Sequence, residues 1–151
     1  KPILEKLKRE LDNYRVNDKT NLLRAVQWCI DKELIQQGIT QLQEATITIL
    51  CEKLNHEYSN KEKRNIISSY LGFGINQPGE KWKEPLTSKD AKCVISELKG
   101  IDNIEDIAKA FQALSEKRND INHGGYLCKS VESKKFKQAL EENYQKLKGL
   151  L

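Results

Sequence analysis

Methionine is absent from this chain, and histidine, tryptophan and proline are scarce, at two, two and three residues. Each scarcity closes off something. A translated chain begins with methionine, and Lys1-Pro2 opens almost at once into helical pattern, so the expectation is a piece of a longer polypeptide, with trimming of the start as the alternative. Two histidines without a His-x-x-x-His pair, and Cys29, Cys51, Cys93 and Cys128 without a Cys-x-x-Cys pair, speak against a protein-built zinc site. Reduced, buried thiols are the expectation for these cysteines. There is no Gly-x-Gly-x-x-Gly, no Walker loop and no Gly-x-Ser-x-Gly elbow, so dinucleotide, P-loop and serine-hydrolase chemistries drop out and no cofactor is expected. No apolar run approaches the roughly 18 to 20 residues of a membrane span, and the N-terminus lacks a signal-peptide core. The reading is a cytoplasmic protein with no membrane partner.

What is present points to one class of structure. A length of 151 residues suits a single domain, 1–151. The charged fraction of 32% is set against 38% hydrophobic and is mixed in sign, which marks a folded chain, and a net charge of +4 is too small to name a polyanion partner by itself. Apolar residues recur at helical spacing nearly throughout, with no period-two alternation and no internal repeat, so the fold class is all-α, a bundle of about six to seven helices. Leu4, Leu7, Leu11 and Tyr14 make a short amphipathic helix that ends in the polar run Asn17-Asp18-Lys19. Thr20 can cap the next helix, whose apolar face is Leu22, Leu23, Val26, Cys29 and Ile30. After a break near Asp31 to Leu34, a long helix carries Ile39, Leu42, Ala45, Ile49, Leu50 and Leu54, the central strut. Gly38 within it implies close approach of a neighbouring backbone. Ser59 or Asn60 can cap a helix through Ile66, Ile67, Tyr70 and Leu71. One longer loop follows, about 72–86, with Trp82 as a hydrophobic plug. Thr87 or Ser88 caps a helix that stops at Gly100, and a last basic helix carries Phe136, Leu140, Tyr144, Leu147 and Leu151.

The helix before that last one holds the conflict around which the chain is organised. Ile104, Ile107, Phe111, Leu114, Arg118 and Ile121 form one apolar stripe, so Arg118 stands where a core residue should stand. An always-ionised guanidinium there needs an acid, a phosphate or a subunit interface to receive it. The stretch Arg118-Asn119-Asp120-Ile121-Asn122-His123, closed by Gly124-Gly125, gathers an arginine, a histidine and polar side chains. Such a set suits phosphodiester cleavage: imidazole moves protons to and from ribose and leaving oxygens, and arginine stabilises negative charge on a five-coordinate phosphate. Neither role needs a metal. Five residues at about 100° each put Arg118 and His123 about 140° apart on an ideal helix. A shared site therefore needs the helix to end or distort near the glycines, or to meet a second copy across a two-fold axis as a homodimer.

These six residues resemble the Arg-polar-x-x-x-His signature of HEPN domains, all-helical ribonucleases of prokaryotic defence systems. The segments Ala25-Val26-Gln27-Trp28-Cys29-Ile30-Asp31, Leu34-Ile35-Gln36-Gln37-Gly38-Ile39-Thr40 and Leu42-Gln43-Glu44 are similar to the C-terminal HEPN region of CRISPR-associated effectors with an N-terminal CARF sensor. The resemblance covers about two thirds of the chain in pattern. It implies that Arg118 and His123 are catalytic and that Asn119 is the polar residue that follows the arginine; Asn122 and Asp120, in the same stretch, are the candidate substrate contacts. It further implies metal-independent cleavage of single-stranded RNA by the ribose 2′-hydroxyl, leaving a 2′,3′-cyclic phosphate, at a site shared by two copies. In the related effectors the sensor domain binds cyclic oligoadenylate. No such domain lies in these 151 residues, which would then be the catalytic part of a longer chain.

Other readings stand beside this one. Arg118 can be a structural arginine paired with an acid such as Glu44, and His123 can simply cap a helix C-terminus. On that view the chain is a non-catalytic helical dimerisation module, and a third reading makes it a stand-alone HEPN toxin held by an antitoxin. His56 reads as a surface residue, Trp28 as core and Trp82 as loop anchor. Gln36, Gln37 and Glu44 read as helix-surface or buried hydrogen-bonding residues, and the lysines of the last helix as a solvated face.

Overall fold

The stripe that begins at Ile104 folds as expected, and it is laid against a strut that has apolar residues on more than one side. A computed structural model describes the chain except Lys1, Asn13, Val16, Asn17, Lys19 and residues 124–132, together with the side chains of Leu7 and Ser133. Among the described residues there are seven α-helices, two short 3-10 turns and no strand. They are α1 (Pro2–Leu11), α2 (Thr20–Asp31), α3 (Ile35–Lys53), α4 (Lys61–Gly72), α5 (Ala91–Lys99), α6 (Ile104–Asn122) and α7 (Ser133–Leu150), with the 3-10 turns Gly74–Asn76 and Gly79–Lys81 between α4 and α5. No helix of the described residues is long and apolar enough to cross a membrane.

The strut is α3, packed by α2, α4, α6 and α7. Ile39, Leu42 and Leu50 of α3 are fully buried, and they meet Ile66, Ile67 and Leu71 of α4, Ile107 and Leu114 of α6, and Leu140 and Leu147 of α7 in one cluster. Each such side chain contributes roughly 1.5 to 3 kcal/mol by leaving water. Ile49, expected on the apolar face, is only half-buried, and Ile47 is buried in its place. The break between α2 and α3 is a Schellman closure: Glu33 takes a left-handed φ of 58°, its N–H donates to Ile30 O, and the Leu34 N–H donates to Cys29 O. Gly38 answers a close approach, but of side chains rather than backbone. A Cβ there would lie 2.6 Å from Leu140 Cδ2 and 3.2 Å from Cys29 Cβ.

Several local expectations are corrected. Asp18, not Thr20, caps α2, its Oδ1 accepting from both the Thr20 N–H and the Thr20 hydroxyl. A carboxylate two residues upstream outcompetes a hydroxyl already inside the first turn, and these bonds with Arg24 hold the Asp18 carboxyl down at about 2. The rest of that polar run, Asn17 and Lys19, lies outside the described residues. Neither Thr87 nor Ser88 caps α5. The chain turns at Pro85 to Thr87 to bury Leu86, Ser88 offers only its carbonyl to the Ala91 N–H, and its buried hydroxyl has no partner among the described residues. Asn60 does cap α4, accepting from the Lys63 N–H at 3.1 Å.

The two tryptophans part company. Trp82 anchors the loop: its Nε1 donates to Gly74 O and Gln77 O, and its ring meets Tyr70 edge-on at 6.1 Å. Trp28 is not core. It is 39% exposed, and its Nε1 donates to Glu10 Oε2 of α1 at 3.0 Å, while Lys32 pairs with the other oxygen. Helix α1 ends before Tyr14 and leaves Ile3, Leu4 and Leu11 exposed, because polar bonds through Glu10 hold it and, among the described residues, no apolar partner covers that face. Cys29 and Cys51 are buried free thiols, and burial pushes both up; Cys93 is exposed, against expectation, and Cys128 lies outside the described residues.

Candidate functional site

Helix α6 presents the arginine-histidine motif on its last turn. The helix is continuous through Asn122, and the His123 N–H still donates to Asn119 O at 3.0 Å. It does not distort between the two residues, so Arg118 and His123 of one chain remain about 140° apart around the axis. Gly124 and Gly125, the expected terminator, lie outside the described residues. Arg118 is half-buried, while Asn119, Asn122 and His123 are exposed. Among the described residues neither the Arg118 guanidinium nor the His123 ring has a hydrogen bond or an ion pair. The pairing of Arg118 with Glu44 does not form: Glu44 is taken by Arg64, which also binds Thr48 Oγ1 and Tyr58 O.

Of the remaining motif residues, Asp120 and Asn122 are engaged, and the Asn119 side chain has no partner among the described residues. Asp120 is half-buried and faces Lys117 at 3.6 Å, one turn back on the same helix. Asn122 Oδ1 accepts from Gln36 Nε2 of α3 at 2.9 Å, which ties the end of α6 to the start of the strut. A second polar rung follows at the same step: Gln43 Nε2 donates to Ser115 Oγ at 2.7 Å. Seven residues forward on α3 match seven backward on α6, so the helices run antiparallel and Arg118 lies level with residues 39 and 40. Gln43 is 3% exposed, yet its Oε1 has no partner among the described residues. This seam is a feature that reading the sequence missed. Its signal was a pair of glutamines seven apart on α3, Gln36 and Gln43, and a pair of polar residues seven apart on α6, Ser115 and Asn122.

The second histidine is placed quite differently. Asn55, at φ 55°, closes α3 by a Schellman turn in which the His56 N–H donates to Cys51 O at 2.8 Å, and this points the His56 ring inward. Its side chain is 10% exposed, with Nε2 2.6 Å from Glu97 Oε2 and Nδ1 2.9 Å from Lys63 Nζ. The surface placement expected for His56 is therefore wrong, because the turn after α3 delivers it to α4 and α5. An ammonium donating to Nδ1 fixes the ring proton on Nε2, which donates to Glu97. The Cys93 thiol donates to Glu97 Oε1 at 3.5 Å, and that bond pushes the thiol up. A raised thiol beside a fully engaged imidazole is a poor nucleophile, so this cluster is a structural clasp.

Two of the grooves on the surface bear on this comparison. One of about 710 Å³ lies along α1 and α2, lined by Ile3, Lys6, Glu10, Leu11, Tyr14, Trp28 and Lys32. The other, of about 290 Å³, is lined by Gln36, Gln37, Thr40 and Gln41 beside the motif. Among the described residues no three His, Cys, Asp or Glu side chains gather as a metal site. Compared with protein-family models, curated proteins and solved structures, the chain gives no match.

Proposed function

We propose that this chain is a metal-independent endoribonuclease domain acting on single-stranded RNA, with a site made from Arg118 and His123 of two copies in a homodimer. The observation that carries the reading is the end of α6, where a half-buried arginine and an exposed histidine stand without partners among the described residues. An unpaired guanidinium set in an apolar stripe is a standing demand for an anion. Two-fold pairing near this helix end would place two arginines and two histidines around one cleft and relieve the separation of the pair on a single helix. In that cleft one imidazole takes the proton of the ribose 2′-hydroxyl as its oxygen bonds to phosphorus. Arginine stabilises the five-coordinate phosphate. A second imidazole returns a proton to the departing 5′-oxygen, leaving a 2′,3′-cyclic phosphate. Asn119 extends from the same helix end to assist, and Asn122 and Asp120 flank the substrate.

The resemblance to CRISPR-associated effectors sets the wider proposal: an antiviral effector domain working in the cytoplasm, within a longer chain whose sensor binds cyclic oligoadenylate. The test is incubation of the protein with end-labelled RNA in excess chelator. Cleavage to 2′,3′-cyclic phosphate ends is expected, with loss of cleavage in Arg118→Ala and His123→Ala while circular dichroism stays unchanged. A requirement for a divalent ion rejects the mechanism. In the full-length protein the rate should rise on addition of cyclic oligoadenylate, and indifference to every ring size removes that part of the proposal.

A further inference from the structure

The groove beside the motif carries neither charge nor an aliphatic or aromatic side chain: Gln36, Gln37, Thr40 and Gln41 line it. Gln36 has committed an amide N–H to Asn122 Oδ1, which joins the groove to the motif, and the Thr40 hydroxyl donates to Gln36 O at 3.1 Å. Gln37 and Gln41 are exposed, and their side-chain amides have no hydrogen-bond partner among the described residues. They sit one helical turn apart on the same face, with Cβ atoms about 5 to 6 Å from each other. Arg118 lies level with Thr40 across the α3–α6 seam, so a phosphate held by the guanidinium would have its neighbouring base within reach of α3.

We infer that this groove is the nucleobase subsite of the proposed ribonuclease and that it selects adenine; the inference rests on the RNA-cleaving reading above. A side-chain amide presents one donor beside one acceptor. Adenine offers two edges that match it, N6–H with N7 and N6–H with N1, and the two hydrogens on N6 serve both edges together. Gln37 and Gln41 can therefore hold one adenine from two sides. Guanine shows paired acceptors, O6 and N7, on the edge where adenine offers one of its matches, and these call for a guanidinium or ammonium that the groove lacks; its O6 with N1–H accepts one amide, but its other matching edge, N3 with N2–H, lies on the ribose side of the base. Cytosine has a single matching edge, and the two edges of uracil compete for one N3 proton. An uncharged groove has no hold on the backbone, which leaves the phosphate to Arg118 and the base to the amides, the usual division between positioning and reading in nucleic-acid recognition.

The test maps cleavage of short unstructured RNAs that differ at one nucleotide. The wild-type protein should favour sites next to adenine by about tenfold, within the discrimination of one good bidentate pair. Gln37→Ala/Gln41→Ala should make cleavage even across the four bases, chiefly by lowering the rate next to adenine. An unchanged preference in the double variant, or an even pattern in the wild type, overturns the inference. A second measurement separates it from the cleavage reading: the side-chain amide signals of Gln37 and Gln41 are followed by NMR during titration with AMP, GMP, CMP and UMP. Selective response to AMP from a protein that cuts no RNA sustains the groove and rejects the ribonuclease reading. An equal response to all four nucleotides, or none, rejects the groove.

Discussion

The two histidines of this chain occupy opposite extremes. His56 is nearly enclosed, and both its ring nitrogens are engaged, one by Glu97 and one by Lys63. His123 stands exposed on the last turn of α6 with neither nitrogen engaged among the described residues. A nitrogen that already donates or accepts cannot move a substrate proton without first breaking a bond. The contrast teaches that environment, rather than residue type, separates a structural imidazole from a candidate catalytic one. The arginines divide in the same way. Arg64 is held by Glu44, Thr48 and Tyr58, and Arg118 by nothing among the described residues.

Substitution sharpens the comparison most at His123. His123→Ala should lower RNA cleavage by at least about 10²- to 10⁴-fold, the usual weight of a proton-transfer group. Its unfolding midpoint should stay within about 0.5 kcal/mol of wild type, as for other exposed positions. A variant that cleaves normally breaks the contrast outright. The mirror experiment is His56→Ala, which leaves a half-buried carboxylate and ammonium without their bridge. Stability should fall by about 1 to 3 kcal/mol in a denaturant titration, with cleavage per folded molecule unchanged. A loss of cleavage without a loss of stability would move His56 into the chemistry.

Damage to the scaffold alone provides the control. Gly38→Ala drives a methyl group toward the buried Leu140 and Cys29 side chains, so stability should fall by about 1 to 3 kcal/mol, again with cleavage per folded molecule preserved. The smallest effect is expected at Asp18. Its carboxyl is held at about 2 by the Thr20 hydroxyl and Arg24, below the ordinary 3.8, so its contribution is complete above roughly pH 4 and is lost as pH falls through about 2. Asp18→Asn should lower stability by a small, constant amount above roughly pH 4 and remove the fall that the wild type shows between about pH 4 and 2. A profile identical to wild type throughout shows that the cap contributes nothing.

How much of this was legible depends on how far apart the partners lie in sequence. The strut α3 and the stripe of α6 were readable because their periodicity is local and their burial follows from it. Arg118 was readable as an anomaly for the same reason. His56 was not, since its partner Glu97 lies 41 residues away and the left-handed Asn55 that turns the ring inward leaves no periodic mark. Trp28 sat on a plausible apolar face, but α1 bonded to it through Glu10 and left the ring half in solvent. The polar seam between α3 and α6 was written in matched spacings on two distant helices, which becomes a signal only once the helices are known to be antiparallel.

The central claim is that two copies of the α6 terminus make one site, and subunit mixing tests it most directly. Wild-type protein is combined at varied ratios with Arg118→Ala/His123→Ala protein, allowed to exchange, and assayed for RNA cleavage. Random pairing into two-fold dimers predicts activity that falls as the square of the wild-type fraction. A linear fall, or a monomer that cuts RNA at full rate, would show that each chain acts alone and contradict the account.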